Sequence, residues 1–190
     1  MGIVGRPAPN FTGEAARGGE IVRISLSDYR GKWLILFFYP LDFTFVCPTE
    51  LVALSDRLAD FRKADAEVLG VSVDSVHAHL AWMRMPRAEA GVGDLAFPLL
   101  SDLSKSIAEA YEILQGDQAL RALFLIDPDG IVQSCTVNNL AVGRSVDEVL
   151  RTLHAYSQVR THGDTCPANW REGQPGMPGT LQAVGALLGP

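Results

Sequence analysis

The sequence predicts an α/β fold in which a mixed central β-sheet is flanked by helices. Three observations lead there. A seven-residue apolar run, Trp33–Tyr39, reads as a buried strand, and amphipathic helical spacing follows it at once. Strand-like and helix-like segments then alternate as far as residue 114. Finally, two β-rich runs are joined by Asp127-Pro-Asp-Gly130, four residues that all favour turns, so the sheet closes on an antiparallel hairpin.

Taken in order, the elements are justified as follows. Residues 33–39 form the first strand, and Leu51, Leu54, Leu58 and Phe61 place a helix over 48–63. Glu67–Val73 is a strand, 76–85 a helix, and 86–96 a connector carrying Pro and Gly. Ser104–Leu114 is amphipathic, and Leu120–Ile126 with Ile131–Val137 makes the hairpin. A last helix over 146–158 opens on a capping box, Ser145 with Glu148. After about residue 161 the pattern fades, and 171–190 holds five glycines and three prolines. The expected organisation is a domain over 1–160 and a C-terminal arm over 161–190, partly disordered.

Composition limits the function. The chain has 190 residues, 47% hydrophobic and 20% charged, which suits a single globular core. No apolar run approaches the roughly 20 residues that span a membrane. A net charge of −6 with scattered Lys and Arg disfavours nucleic acid. The first ten residues lack a basic segment followed by an apolar stretch, and Arg6 spoils a myristoylation pattern, so a cytoplasmic address is expected. Three cysteines, Cys47, Cys135 and Cys166, are too few for a secreted disulfide framework; a bridge in a reducing compartment would be transient and catalytic.

The chemistry concentrates in Phe38–Glu50. Pro48 suits the first position of the helix, which puts Cys47 at the N-cap, where Ser, Thr, Asp or Asn would be the ordinary choice. A helix N-terminus favours negative charge, and with it a thiolate. A thiolate attacks the O–O bond of a peroxide and becomes a sulfenic acid. Thr44, three residues earlier, can turn its hydroxyl into the same pocket, and Pro40 can shield it from water. A cation is also needed, and Arg121, at the start of a strand, is the candidate because a guanidinium stays protonated and offers several donors. The residues alone leave two readings open: Arg121 as an ordinary strand-end arginine, and Cys47 as a buried small hydrophobe. Cys135, within an alternating strand, reads as packing.

Phe38–Glu50 resembles the active-site signature of peroxiredoxins, Pro-x-x-x-Thr-x-x-Cys, here Pro40, Thr44 and Cys47. Val142-Gly-Arg-Ser145 and Thr165-Cys-Pro-Ala-Asn-Trp170 are similar to the corresponding segments of typical two-cysteine peroxiredoxins, including the alkyl hydroperoxide reductase C subunit. The resemblance runs over roughly residues 3–172. It implies a thioredoxin-like fold, with Cys47 as peroxidatic cysteine and Thr44, Pro40 and Arg121 completing the peroxide site. It implies Cys166 as the resolving cysteine, acting across a two-fold dimer, and Glu50 with Arg144 as a charge network beside Arg121, although those two could equally form a surface ion pair.

The same resemblance implies homodimers, often five in a ring, reduced by thioredoxin or by a flavoprotein disulfide reductase. The overoxidation-sensitive eukaryotic members carry a Gly-Gly-Leu-Gly stretch and a Tyr-Phe tail. Here the connector is Ala90-Gly-Val-Gly-Asp94 and Arg171–Pro190 contains no Tyr or Phe, so resistance to overoxidation is expected.

No cofactor or metal is expected. His77 and His79, two apart on a helix, point to different faces and read as surface residues, while His162 and Cys166 lack further ligands. No Gly-rich nucleotide motif is present. A general disulfide oxidoreductase would want a Cys-x-x-Cys pair, which the chain lacks. A holdase chaperone using the apolar segment Leu181–Leu188 is the alternative from another functional class.

Overall fold

Trp33–Phe38 (β3) is buried at all six positions, as befits a central strand whose sheet is covered on both faces. The computed structural model describes residues 2–189, so Met1 and Pro190, the outer ends of the two expected segments, lie outside the described residues. Two compact units result, one ending at Arg144 and the other beginning at Ser145.

The first unit opens with a hairpin that the periodicity did not reveal, β1 (Thr12–Arg17) and β2 (Glu20–Ser25). Its loop is Gly18-Gly19 with φ of 57° and 83°, a two-residue turn that glycine permits without strain. After β3 come α1 (Cys47–Asp56), α2 (Leu58–Lys63), β4 (Ala66–Ser72) and α3 (Val76–Arg84). β5 (Leu99–Ser101), α4 (Ser106–Ala110), the short pair β6 (Leu114–Gln115) and β7 (Gln118–Ala119), then β8 (Arg121–Ile126) and β9 (Val132–Asn138) complete the unit.

The seven-stranded sheet has the order β2-β1-β5-β4-β3-β8-β9. β3, β4 and β5 run parallel, whereas β8 and β9 at one side and β1 and β2 at the other are antiparallel, which makes the sheet mixed. Alternate residues of β3 serve different faces. Leu34, Leu36 and Phe38 join a cluster with Ile107, Ala108 and Tyr111 around α4. On the opposite parity, a Cβ at Gly70 of β4 would stand 3.6 Å from Leu51 of α1.

Two expected helices differ from their spacing. The segment 48–63 is interrupted at Arg57 (φ −102°, ψ 8°), yet Leu51, Leu54, Leu58 and Phe61 are all buried, so the apolar face survives the break. Within Ser104–Leu114 only α4 is helical, because Lys105 and Glu112 adopt left-handed φ of 64° and 59° and close it at both ends. The Asp102 carboxylate starts α4 by accepting from the N–H groups of Ile107 and Ala108 at 3.0 and 2.7 Å.

The second unit holds α5 (Val146–His162) and α6 (Leu181–Leu188). Ser145 caps α5 by accepting from the Glu148 N–H at 3.3 Å, but the Glu148 carboxylate turns to Arg151 and Thr152, so only half of the expected box forms. α6 lies in the arm expected to be partly disordered and coincides with the apolar segment Leu181–Leu188: Thr180 caps it, and its apolar residues had too short a run to betray a period. Among the described residues, no helix is long and apolar enough to cross a membrane.

Candidate active site

β3 delivers the chain into the loop that precedes α1, and that loop is fastened from below. Asp42 is only 5% exposed. Its carboxylate accepts from the Tyr39 hydroxyl at 2.8 Å and meets His79 Nδ1 at 2.7 Å, while its N–H donates to Asp74 at 2.8 Å. Ser72 donates to the same Asp74 oxygen at 2.7 Å. Burial pushes the Asp42 carboxyl up from its ordinary value, with His79 opposing, and lifts the Tyr39 phenol well above its own.

His79 therefore corrects the surface reading. His77 is exposed, but His79 is fully buried and shares the inward face of α3 with Val76, Leu80 and Met83. That 76-79-80-83 spacing was the available signal for a buried histidine, and its carboxylate partner on another segment was not visible in the pattern.

Cys47 is the first residue of α1 rather than its cap. Val46 already has helical dihedrals (φ −82°, ψ −38°), and its carbonyl accepts from Thr49 and Glu50 at 3.1 and 3.3 Å. The helix thus starts one residue early with no side-chain cap, and Cys47 remains in the first turn, where N–H groups lack intrahelical partners.

Around this thiol the structure gathers three charged side chains. Arg121, the first residue of β8, donates from Nη1 to Cys47 Sγ at 3.3 Å and to Glu50 at 2.8 Å, and from Nε to the Leu140 carbonyl at 2.6 Å. Arg144 holds Glu50 with its backbone N–H at 2.7 Å, with Nε at 2.8 Å and with Nη2 at 3.1 Å. Its Nη1 donates to the carbonyls of Phe38 and Ala122 at 2.7 and 2.6 Å, and its guanidinium lies 3.6 Å above the Phe37 ring. Gly143 permits the approach, since a Cβ there would stand 3.3 Å from Glu50.

This is a buried network, not a surface ion pair: the Arg121, Glu50 and Arg144 side chains are 5%, 4% and 3% exposed, and Cys47 is 0% exposed. Two guanidinium charges against one carboxylate leave a surplus of one positive charge in a dry site. A thiolate at Cys47 cancels it, and uncompensated buried charge is costly. Burial draws Arg144 below the ordinary arginine value, and its bonds to Glu50 oppose that drift.

The remaining expected residues lie in different settings. Pro40 is buried and Thr44 is half-buried; the Thr44 hydroxyl donates to the Leu41 carbonyl at 2.9 Å, which leaves its oxygen lone pairs as acceptors. Cys166 belongs to the second unit. It is half-buried, its thiol 3.5 Å from the Ala155 carbonyl, in a segment clasped by reciprocal backbone bonds between Thr165 and Met177 at 2.9 and 2.8 Å. Trp170, 3% exposed, anchors the same segment. Burial raises the Cys166 thiol, Asp164 adds to the rise and Arg151 opposes it. Cys135 is pushed up to about 11 by burial. Among the described residues, no group of three or more His, Cys, Asp or Glu side chains stands close enough to hold a metal ion.

Fold and site together define a class, a cysteine-dependent oxidoreductase on a thioredoxin-like sheet. Residues 4–135 match the AhpC/TSA family, and 158–189 match the C-terminal domain of 1-Cys peroxiredoxin. Peroxiredoxin-2 of Rattus norvegicus is 55% identical over 172 residues, 90% of this chain and 87% of that protein. The chloroplastic 2-Cys peroxiredoxin BAS1 of Hordeum vulgare is 53% identical over 178 residues, 92% of this chain and 85% of its own. Among solved structures, reduced 2-Cys peroxiredoxin of Plasmodium vivax superposes with a TM-score of 0.96 at 46% identity, covering 99% of both chains. The chain belongs to the AhpC/TSA family and is a peroxiredoxin, a thiol peroxidase.

Proposed function

We propose that Cys47 is the peroxidatic cysteine and that it reduces hydrogen peroxide and organic hydroperoxides in antioxidant defence and redox homeostasis. The observation that carries this reading is the 3.3 Å contact from the Arg121 guanidinium to Cys47 Sγ, within a buried cluster whose charges balance when the sulfur is anionic. The Cys47 thiolate attacks one peroxide oxygen, the O–O bond breaks, and the proton of the attacked oxygen passes to the departing one, which leaves as water or an alcohol, while the sulfenate left on Cys47 takes a proton from solvent to become the sulfenic acid. Arg121 serves both sulfur and oxygens, Thr44 offers its hydroxyl oxygen to the peroxide proton, and Pro40 screens the sulfur from water. Glu50 and Arg144 are positioning residues: they hold Arg121 in its reactive direction.

Cys166 then resolves the sulfenic acid. Its thiol attacks the Cys47 sulfur of the other subunit, water leaves, and an intersubunit disulfide forms. Disulfide geometry needs Cα atoms within about 7 Å, so the segment at Cys47, that at Cys166, or both must open locally in each cycle. The 161–190 arm carries this second half of the chemistry. We further propose homodimers arranged five to a ring, a cytoplasmic address, and reduction by thioredoxin or a flavoprotein disulfide reductase, since both supply the two electrons that the disulfide takes up. The holdase alternative gains no support over this reading.

Stoichiometric peroxide consumption tests the proposal. The reduced wild type and Cys135→Ser should each consume peroxide rapidly, and Cys47→Ser should not. Rapid consumption by Cys47→Ser would assign the chemistry to another residue.

A further inference from the structure

We infer that Phe43 is a strained hinge that favours opening of the Cys47 loop and so sets how the Cys47 sulfenic acid divides between disulfide formation and overoxidation. The inference rests on the peroxidatic reading of Cys47 and concerns the regulation of that site.

Phe43 has φ of 54°, the left-handed region. Six non-glycine residues in the described chain adopt positive φ, and Phe43 is the one with an aromatic side chain. Asn and Asp enter that region readily, whereas for a bulky residue it is an outlier that persists only where the surroundings impose it.

Here the surroundings can be named. On the N-terminal side Asp42 is pinned by Tyr39, His79 and Asp74. Across Phe43 the Thr44 hydroxyl is tied back to the Leu41 carbonyl. The ring itself leans on Trp82, with centroids 5.7 Å apart, and remains 53% exposed, so its own packing offsets little of the strain. Polar fastenings on both sides hold a backbone angle that the residue between them resists.

The position gives the strain a role. Phe43 lies four residues before Cys47, in the loop whose opening is one way for the Cys47 sulfur to reach Cys166 and the one this inference takes. When the loop opens, φ at residue 43 relaxes to negative values and the strain is released, which weights the equilibrium toward the open form. Two reactions compete for the sulfenic acid. In the open form, Cys47 S–OH and Cys166 S–H give a disulfide and water. In the closed form, a second peroxide transfers an oxygen to the same sulfur, giving sulfinic acid and water or an alcohol. A strained loop spends less time exposed to the second reaction.

The test compares Phe43→Gly with Phe43→Ala. Both remove the ring, so effects of the Trp82 contact cancel; only glycine removes the strain. Glycine also adds freedom to the open loop, which offsets part of the gain and leaves an expected difference of about fivefold. After one equivalent of peroxide, Phe43→Gly should form disulfide about fivefold more slowly than Phe43→Ala. At higher peroxide, mass spectrometry should find about fivefold more sulfinic acid in it per turnover, with Phe43→Asn also above Phe43→Ala.

Glu112→Gly and Glu112→Ala, at another left-handed position remote in sequence from Cys47, should not differ in either quantity. Equal or faster disulfide formation in Phe43→Gly overturns the inference, as does the same shift in the pair at 112. The wild type in the same run separates the two levels: no oxidation of Cys47 there would sink the peroxidatic reading itself.

Discussion

Replacing Arg121 with glutamine removes the guanidinium that donates to Cys47, while Glu50 and Arg144 keep each other. The lost contacts are those to the sulfur at 3.3 Å, to Glu50 at 2.8 Å and to the Leu140 carbonyl at 2.6 Å. In a dry site a donor already aimed at the reacting atoms is worth about 10²–10³ in rate, so the second-order rate constant with peroxide should fall by that factor. Stability should suffer less, by about 1–3 kcal/mol, mainly for the Leu140 carbonyl left without its donor.

Glu50→Gln should invert the pattern. It strips the carboxylate from between two buried guanidiniums, a change of the kind that costs about 3–5 kcal/mol, yet leaves Arg121 beside the sulfur. Stopped-flow kinetics and urea unfolding of both variants give the comparison. If Arg121→Gln stays within about threefold of wild type, or loses less rate than Glu50→Gln, the assignment of transition-state stabilisation to Arg121 is wrong.

Three further outcomes are expected. Because the connector reads Ala90-Gly-Val-Gly-Asp94 and the tail has no Tyr or Phe, Cys47 should resist sulfinic acid formation at peroxide levels that inactivate sensitive peroxiredoxins; comparable sensitivity by mass spectrometry would contradict this. In a Cys47→Ser background, alkylation of Cys166 should keep rising with pH beyond the point where an ordinary thiol levels off, since burial and Asp164 raise its pKa and shrink the thiolate fraction near neutrality. Asp164→Asn should speed that alkylation at neutral pH and Cys135 should stay slow, whereas a profile indistinguishable from a free cysteine would refute the assignment. Asp42→Ala takes the carboxylate from two buried groups, Tyr39 and His79, and leaves them a 3.5 Å contact with each other and the 3.3 Å approach of His79 to the Leu100 carbonyl, a loss of about 1–3 kcal/mol in all, so its urea midpoint should drop; an unchanged midpoint would show that the fastening beneath the loop carries no weight.

What could be read from the sequence was whatever has a short period or a local rule. β3 was visible because a strand buried on both faces is a continuous apolar run, and Ser145 because a cap is a local choice. The Gly18-Gly19 hairpin had a turn signal, but its strands are half exposed and give no clean alternation. α4 was legible within the amphipathic Ser104–Leu114 but not its bounds, which two left-handed residues set, and α6 escaped because it is eight residues long without a polar face.

At the site, Cys47 stood out as an unusual residue at a helix start, and the structure moved it by one position. Arg121, Glu50 and Arg144 come from β8, α1 and the segment before α5, so their meeting depends on sheet order, which no local pattern encodes; the resemblance supplied it. The support by Asp42, Tyr39, His79 and Asp74 was legible only in part, as the inward spacing of His79 on α3.

The central claim, that Cys47 is oxidised first and Cys166 of another subunit captures it, is tested most directly by a non-reducing gel after one equivalent of peroxide. Wild type should run as a covalent dimer, and Cys47→Ser and Cys166→Ser should both run as monomers. No covalent dimer from wild type, or the same dimer from Cys166→Ser, would contradict the account.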